Sequence, residues 1–165
     1  MSLWNTADTL FLPAWESAAA RRQVEAGSVL LDGMIRFVAP DQLDPILKEG
    51  YVHAEEAVPF AITAFGDILT WERGRYIYKV SLRQGTTHAL AAGLDFFFDD
   101  LEDPEYAAEH FEMQLFYAAR EKLGELSDSE CYAFVPLEAL GGFADVEHLK
   151  KRPYREYLYL AIQAG

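Results

Sequence analysis

The clearest pattern in the chain is a strict alternation of side-chain character over residues 75–83. Apolar and aromatic side chains occupy every second position, at Tyr76, Tyr78, Val80 and Leu82. A period of two is typical of a β-strand with one side against a core. The dipeptide Arg73-Gly74 comes before this strand and follows another extended run, residues 67–72. A tight turn between two extended runs predicts an antiparallel pair.

Other short apolar runs predict further strands at residues 29–31, 34–38, 60–64, 86–90 and 132–135. Asp32-Gly33 separates the first two of these runs, and Asp-Gly between apolar runs is a strong signal for a hairpin. Pro136 ends the last run, because proline cannot donate a hydrogen bond to a neighbouring strand. The middle of the chain is therefore predicted to form an antiparallel meander.

Apolar positions spaced by three and four predict α-helices over residues 14–26, 106–123 and 154–163. A shorter helical stretch is bracketed by Pro40 and Pro45 and ends at Gly50. Asp103 can cap the longest helix, with Pro104 in its first turn. The sequence predicts an α+β fold: a central antiparallel sheet, with helices at both ends of the chain packed on it.

Length and composition fit one domain, residues 1–165. Of these residues, 51% are hydrophobic and 14% are aromatic, enough for a core without disulfides. Cys131 is the single cysteine and excludes an intrachain disulfide. The first twenty residues contain no Lys or Arg and are interrupted by polar residues and a proline, unlike a secretory signal. We therefore expect a cytoplasmic protein.

Acidic residues outnumber basic residues in the whole chain. Twenty-seven Asp and Glu residues oppose fourteen Lys and Arg residues, and the formal net charge is −13 at pH 7. Such a charge repels nucleic-acid backbones and acidic membranes, so we expect neither as a partner. It attracts cationic proteins, and it also favours solubility. The net charge by itself leaves both explanations open.

No group of residues forms a recognisable catalytic, cofactor-binding or metal-binding motif. The four histidines lie in different predicted elements and fit no zinc-ligand spacing. Cys131 could act as a nucleophile, but the neighbouring carboxylate of Glu130 would raise the pKa of its thiol and so disfavour the thiolate. We expect no enzymatic activity, no cofactor and no metal. A hydrolase that uses carboxylates or Cys131 is the alternative.

Residues 95–112, DFFFDDLEDPEYAAEHFE, contain eight carboxylates and no Lys or Arg. Some of these carboxylates fall at the start of the longest predicted helix, where the helix dipole favours negative charge. Four others precede that helix and gain little from it: Asp95, Asp99, Asp100 and Glu102. Phe96-Phe97-Phe98 lies among them, and aromatic side chains inside an acidic rim resemble the centre of a protein interface. Packing of at least two of these phenylalanines into the core is the simpler expectation.

Two stretches resemble a bacterial family long catalogued as a domain of unknown function. AFGDILTWERGRYIYKV, from Ala64, and SDSECYAFVPLEALGG, from Ser127, are similar to blocks of the C-terminal domain of type VI secretion immunity proteins. Upstream, GSVLLDGMIRFVAPDQLDPIL resembles a GAD-like (glutamine/aspartate-related) region. The resemblance divides the domain into a GAD-like portion, residues 15–63, and an immunity-type portion, residues 64–163, with one shared core. Ala133 and Ser129 depart from the family pattern.

This resemblance implies a protein that neutralises a toxin, commonly a nuclease, by binding and occluding it. Nuclease toxins are often basic, so a protein of charge −13 would associate with one quickly through electrostatic steering. We expect partner contacts first at Asp95, Asp99, Asp100 and Glu102, and next at Asp67, Asp128 and Glu130. The alternative from another class is a small acidic cytosolic interaction module that has no toxin.

Overall fold

The computed structural model describes the backbone of residues 6–165 and the side chains of residues 11–165. Six strands form one sheet whose spatial order follows the chain. They are Val29–Leu30 (β1), Ile35–Phe37 (β2), Ala57–Thr63 (β3), Ile68–Glu72 (β4), Tyr76–Ser81 (β5) and Thr86–Ala91 (β6). All five neighbouring pairs are antiparallel. The predicted central antiparallel meander is confirmed.

A second sheet contains two antiparallel strands, Glu130–Phe134 (β7) and Leu149–Pro153 (β8). The backbone N–H of Tyr132 donates to the carbonyl of Ala64 at 2.7 Å, which attaches this pair to the main sheet. The sequence did not predict β8. Its sequence is LKKRP, and only Leu149 is buried, so it lacks the apolar alternation that would reveal a strand.

Within residues 6–165, six α-helices lie between and beside these strands: Thr6–Arg21 (α1), Pro40–Gly50 (α2), Leu94–Leu101 (α3), Pro104–His110 (α4), Met113–Leu123 (α5) and Tyr154–Ala164 (α6). The α+β class and the helices at both ends of the chain are confirmed. The first helix ends earlier than predicted, because Gln23 takes a positive φ of 57° and cannot continue it.

The acidic run contains a helix that the sequence pattern did not predict. Residues 94–101 were expected to precede the helical part of the chain, but they form α3. Its apolar side chains, at Leu94, Phe97, Phe98 and Leu101, have helical spacing and pack toward the core. The carboxylates expected before a helix therefore lie on this helix or directly after it.

The predicted helix over residues 106–123 is two helices, α4 and α5, separated at Phe111 and Glu112. Phe111 has an extended backbone, with φ of −131°, and its ring is buried. Burial of this ring contributes about 1.5–3 kcal/mol.

Both faces of the main sheet are covered, and β3 and β4 are buried along their whole length. On one face, α1, α3 and α5 enclose an aromatic core that includes Trp15, Phe60, Trp71, Phe97 and Phe116. On the other face, α2 and α6 enclose an aliphatic core that includes Leu43, Ile46, Ile68, Val80 and Leu158. The acidic helices α3 and α4 therefore lie on a sheet buried on both sides, which gives them a rigid support.

Candidate functional site

Helix α3 carries three consecutive phenylalanines, and each has a different environment. Phe97 is fully buried, and Phe98 is half-buried against the same core. Phe96 is 61% exposed. At least two of the three rings therefore pack into the core, as the simpler expectation stated, and the third is left on the surface of the helix.

The exposed phenylalanine lies among carboxylates. Asp95, Asp99 and Glu102 are exposed and Asp100 is half-buried. Asp95 forms an ion pair with Arg22, whose Nη1 lies 3.5 Å from Oδ1. Within the described side chains, Asp99, Asp100 and Glu102 form no ion pair. Most of the negative charge on this helix is therefore not neutralised within the chain.

Helix α4 extends the negative surface. The carboxylate of Asp103 caps this helix by accepting from the N–H of Glu105 at 2.9 Å. Tyr106 donates its hydroxyl proton to the carbonyl of Leu90 at 2.7 Å and so fastens α4 to β6. Burial raises the pKa of Tyr106 to about 12, and the charges of Asp100 and Glu109 contribute to this rise.

We call the exposed negative surface of these two helices the acidic face; it comprises Asp95, Phe96, Asp99, Asp100, Glu102, Glu105 and Glu109. Asp128 and Glu130 lie elsewhere, at the start of β7. Asp128 pairs with Arg36 on β2, whereas Tyr106 of α4 bonds to β6 at the other edge of the sheet. Helix α3 lies between these edges, because its Phe98 ring lies 6.2 Å from the ring of Phe37 on β2. Glu130 accepts from the N–H of Ser127 at 2.9 Å, and this bond lowers the pKa of its carboxyl.

Asp67 is not a surface residue. It is only 3% exposed, and its two carboxylate oxygens accept from Nε and Nη2 of Arg83 at 3.2 and 3.3 Å. The expectation of a partner contact at Asp67 is therefore wrong for the folded chain. The Gly66-Asp67 sequence resembles an exposed turn, but Gly66 lies against Leu158 of α6 and the neighbouring Phe65 stacks on Phe134 of β7 with ring centroids 5.8 Å apart.

Arg83 is the centre of a buried ion cluster that the sequence analysis did not predict. Its side chain is 1% exposed, and it also donates to Glu112 at 2.9 Å and to Glu138 at 2.5 Å. The guanidinium carbon lies 4.9 Å from the centroid of the Phe134 ring, a distance at which a cation–π contact forms. These contacts join the end of β5 to the turn before β4, the start of α5 and the loop after β7.

Cys131 has the environment of a structural cysteine. It is fully buried, and burial raises the pKa of its thiol to about 12. The rings of His53 and His110 pack against those of Tyr51 and Tyr106, respectively. Among the described residues, no group of three or more His, Cys, Asp and Glu side chains is arranged to hold a metal ion. In the described part of the chain, the ring contacts of these two histidines are with tyrosines and not with Cys131.

Comparison with known proteins bears on the half of the chain that carries the acidic face. Residues 91–164 match the family profile described as T6SS immunity protein Tdi1, C-terminal. This match covers slightly less than half of the chain and suggests a type VI secretion immunity protein. It begins at the last residue of β6 and includes the whole acidic face. The expected GAD-like region, residues 15–63, lies outside it and finds no support.

The fold itself has a solved relative. The crystal structure of Atu4351 from Agrobacterium tumefaciens aligns with a TM-score of 0.75 over 99% of this chain and 83% of that chain. The two sequences are 16% identical, so the likeness shows a common fold. No curated protein matches the chain significantly. Between residues 6 and 165, no helix has both the length and the apolar character that a membrane span requires.

Proposed function

We propose that this chain is an immunity protein that neutralises a toxin by binding it, and that the acidic face makes the contact. The observation that carries the proposal is the location of this face. Seven of the eight carboxylates in residues 95–112 precede the buried ion cluster at Glu112, no Lys or Arg interrupts them, and all lie within the matched segment 91–164.

The charge of this face favours a cationic partner. Carboxylates that form no ion pair within the chain can pair with Lys and Arg residues of another protein, and their potential accelerates diffusional encounter. Toxins that act on nucleic acid need basic surfaces to bind phosphates. A nuclease is therefore the class of toxin that the acidic face fits best, and occlusion of its basic cleft would suffice for protection.

Phe96 gives the proposed interface an apolar centre. Its side chain is 61% exposed, while carboxylates on α3 surround it. Interfaces commonly combine an apolar or aromatic centre with a polar rim. Aromatic anchors of this kind often carry a large part of the binding energy. We expect Phe96→Ala to increase the dissociation rate, whereas changes of the carboxylates alter the association rate.

The function is tested by co-expression of this chain with each candidate toxin gene taken from the genes that flank its own. Cells that produce the toxin should survive when this chain is produced and die when it is absent. Death in both cases would contradict the immunity function and favour the alternative, an acidic interaction module without a toxin.

The binding face is tested separately, with purified proteins and a matched control. Reversal of Asp95, Asp99 and Glu102 to lysine changes the net charge by two for each residue, from −13 to −7. We expect the association rate constant to fall by at least about tenfold and its dependence on salt to weaken.

The control reverses three exposed carboxylates outside the acidic face, Glu49, Glu55 and Glu156. This variant has the same net charge of −7 but an unchanged acidic face. If both variants slow association equally, net charge and not the acidic face is responsible. If neither does, the toxin binds a different surface.

A further inference from the structure

A groove of about 540 Å³ lies on the face of the sheet opposite the acidic face. It is bounded by the end of α2 and by β4, β5 and β6. The residues that matter for its chemistry are Tyr51, His53, Glu72, Arg73, Tyr78 and Thr87. We call it the sheet groove. Neither the immunity function nor the match to residues 91–164 assigns a role to it.

Glu72 lines the sheet groove with a buried carboxylate. The residue is 3% exposed. The hydroxyls of Tyr51 and Thr70 both donate to the same oxygen, Oε2, at 2.8 and 2.5 Å. Within the described part of the chain, the other oxygen, Oε1, accepts no hydrogen bond. The carboxylate is therefore held in place by two donors and retains one oxygen for a third.

No cation of the described chain forms a direct ion pair with this carboxylate, although Arg73 also lines the groove. Arg73 is next to Glu72 in sequence, but its Nη2 donates to the hydroxyl of Tyr78 at 3.1 Å and its guanidinium carbon lies 5.1 Å from the centroid of the Tyr76 ring. Among the described side chains, Glu72 forms no ion pair. A buried charge without a counter-charge is costly, and native structures normally pair it.

The walls of the groove are suited to a cation. Tyr51 and Tyr78 contribute aromatic rings, and the ring of His53 packs edge-on against Tyr51 with centroids 5.7 Å apart. Aromatic faces attract cations, most strongly where water is excluded. Burial and the neighbouring Glu72 raise the pKa of Tyr51, so its hydroxyl stays protonated and continues to donate to Glu72.

We propose that the sheet groove binds a primary ammonium group, which donates to Glu72 Oε1 and lies against the rings of Tyr51 and Tyr78. An ammonium fits better than a guanidinium, because a guanidinium pairs best with both oxygens of a carboxylate. Here Oε2 already accepts two hydroxyls. The ammonium group comes either from a free alkylamine or from a lysine side chain of a bound protein.

The direct test uses butylammonium as the probe, titrated at constant ionic strength into the ¹⁵N-labelled full chain. Binding is followed through the amide resonances of β4, β5 and β6. We expect saturable shifts at the groove, at least tenfold weaker binding of butylguanidinium, and no saturation with 1-butanol. Equal binding of butanol, or shifts that do not saturate or lie elsewhere, would overturn the proposal.

Variants locate the counter-charge. Glu72→Gln keeps the shape of the side chain and removes its charge, and it should weaken butylammonium binding at least tenfold. Glu55→Gln removes an exposed charge outside the groove and should leave binding unchanged. Thr87→Lys adds an ammonium of the chain's own at an exposed position of the groove, so it should also abolish binding. Because this variant leaves Glu72 intact, it tests the proposal even if Glu72→Gln does not fold, and undiminished binding to it would count against the site.

A final comparison distinguishes the two sources of the ammonium. Nα-acetyl-lysine N-methylamide presents a lysine side chain as a protein does, whereas butylammonium represents a free amine. Tighter binding of the capped lysine identifies the groove as a site for a partner's lysine, and tighter binding of the simple amine identifies a small-molecule site. If neither butylammonium nor the capped lysine binds, the proposed ammonium site is refuted. That result would not bear on the immunity function, because the acidic face lies on the opposite face of the sheet.

Discussion

Replacement of Arg83 by methionine tests whether the buried ion cluster stabilises the fold. Methionine keeps an unbranched apolar stem next to Phe134 and removes the guanidinium. The change breaks four hydrogen bonds, two to Asp67 and one each to Glu112 and Glu138. Because the arginine is 1% exposed, water does not take its place freely.

The three carboxylates are affected to different degrees. The side chains of Glu112 and Glu138 are 41% and 21% exposed, so they can regain water and their loss is small. The side chain of Asp67 is 5% exposed and is left as a buried, unpaired charge. Removing one partner of a buried pair costs about 3–5 kcal/mol. We expect a loss at the lower end of this range, because Lys79 can partly compensate the charge of Asp67. Burial lowers the pKa of Lys79, and the charge of Asp67 opposes this shift, so the two groups interact.

Urea unfolding, followed by tryptophan fluorescence, measures this loss. With a slope of about 2 kcal/mol per M, a loss of about 3 kcal/mol moves the midpoint down by about 1.5 M. Arg152→Met, at an exposed position, is the control and should cost less than about 0.5 kcal/mol. Adding Asp67→Asn to Arg83→Met should restore part of the stability, since it removes the stranded charge. Equal losses for Arg83 and Arg152, or a further loss on adding Asp67→Asn, would refute the reasoning.

Three further predictions concern single buried groups. Burial raises the pKa of Cys131 to about 12, so Ellman's reagent at pH 8 should modify the native thiol at least about a thousandfold more slowly than the unfolded chain; comparable rates would show an accessible thiolate. Burial also raises the pKa of Tyr157 from 10.0 to about 12, so its contribution to stability is complete below pH 10 and is lost as the pH rises through 12. Tyr157→Phe should therefore flatten the decline in the free energy of unfolding over this window, and an unchanged slope would contradict the assignment. Ser81 Oγ is buried and has no hydrogen-bond partner in the described part of the chain, so Ser81→Ala should be neutral or stabilise the protein by up to about 1 kcal/mol in urea unfolding; a clear loss would reveal a missed partner.

Local patterns carried enough information for the meander and for the fold class. Alternation in residues 75–83 and turn residues such as Arg73-Gly74 act over a few neighbours, and the structure has strands and a turn there. Helix α3 could also have been predicted from the sequence, because Leu94, Phe97, Phe98 and Leu101 have helical spacing. The surrounding carboxylates hid this pattern, since a run of like charge resembles a solvated segment.

Other features depend on contacts between distant residues. The apolar stripe through residues 107–119 has continuous helical spacing, so no local pattern indicates the break at Phe111. The break is explained only by the burial of Phe111 in the core. Strand β8 is held by β7 and has little pattern of its own. Arg83 follows Lys79 and Ser81 on the side of the strand that the alternation predicted to face away from the core, so its burial was not expected from the sequence. Its partners Asp67, Glu112 and Glu138 could not be deduced, because they come from three separate segments.

The aromatic core described above has a consequence for how the matched region should be understood. Helices α3 and α5 belong to residues 91–164, but the strands they cover, β3, β4 and β5, all come earlier in the chain. If residues 91–164 were produced in isolation, their large aromatic rings would be exposed to water. We therefore expect this fragment to aggregate and not to fold. Residue 91 is thus the start of the family similarity and not a domain boundary, because the hydrophobic core includes residues from both sides of it.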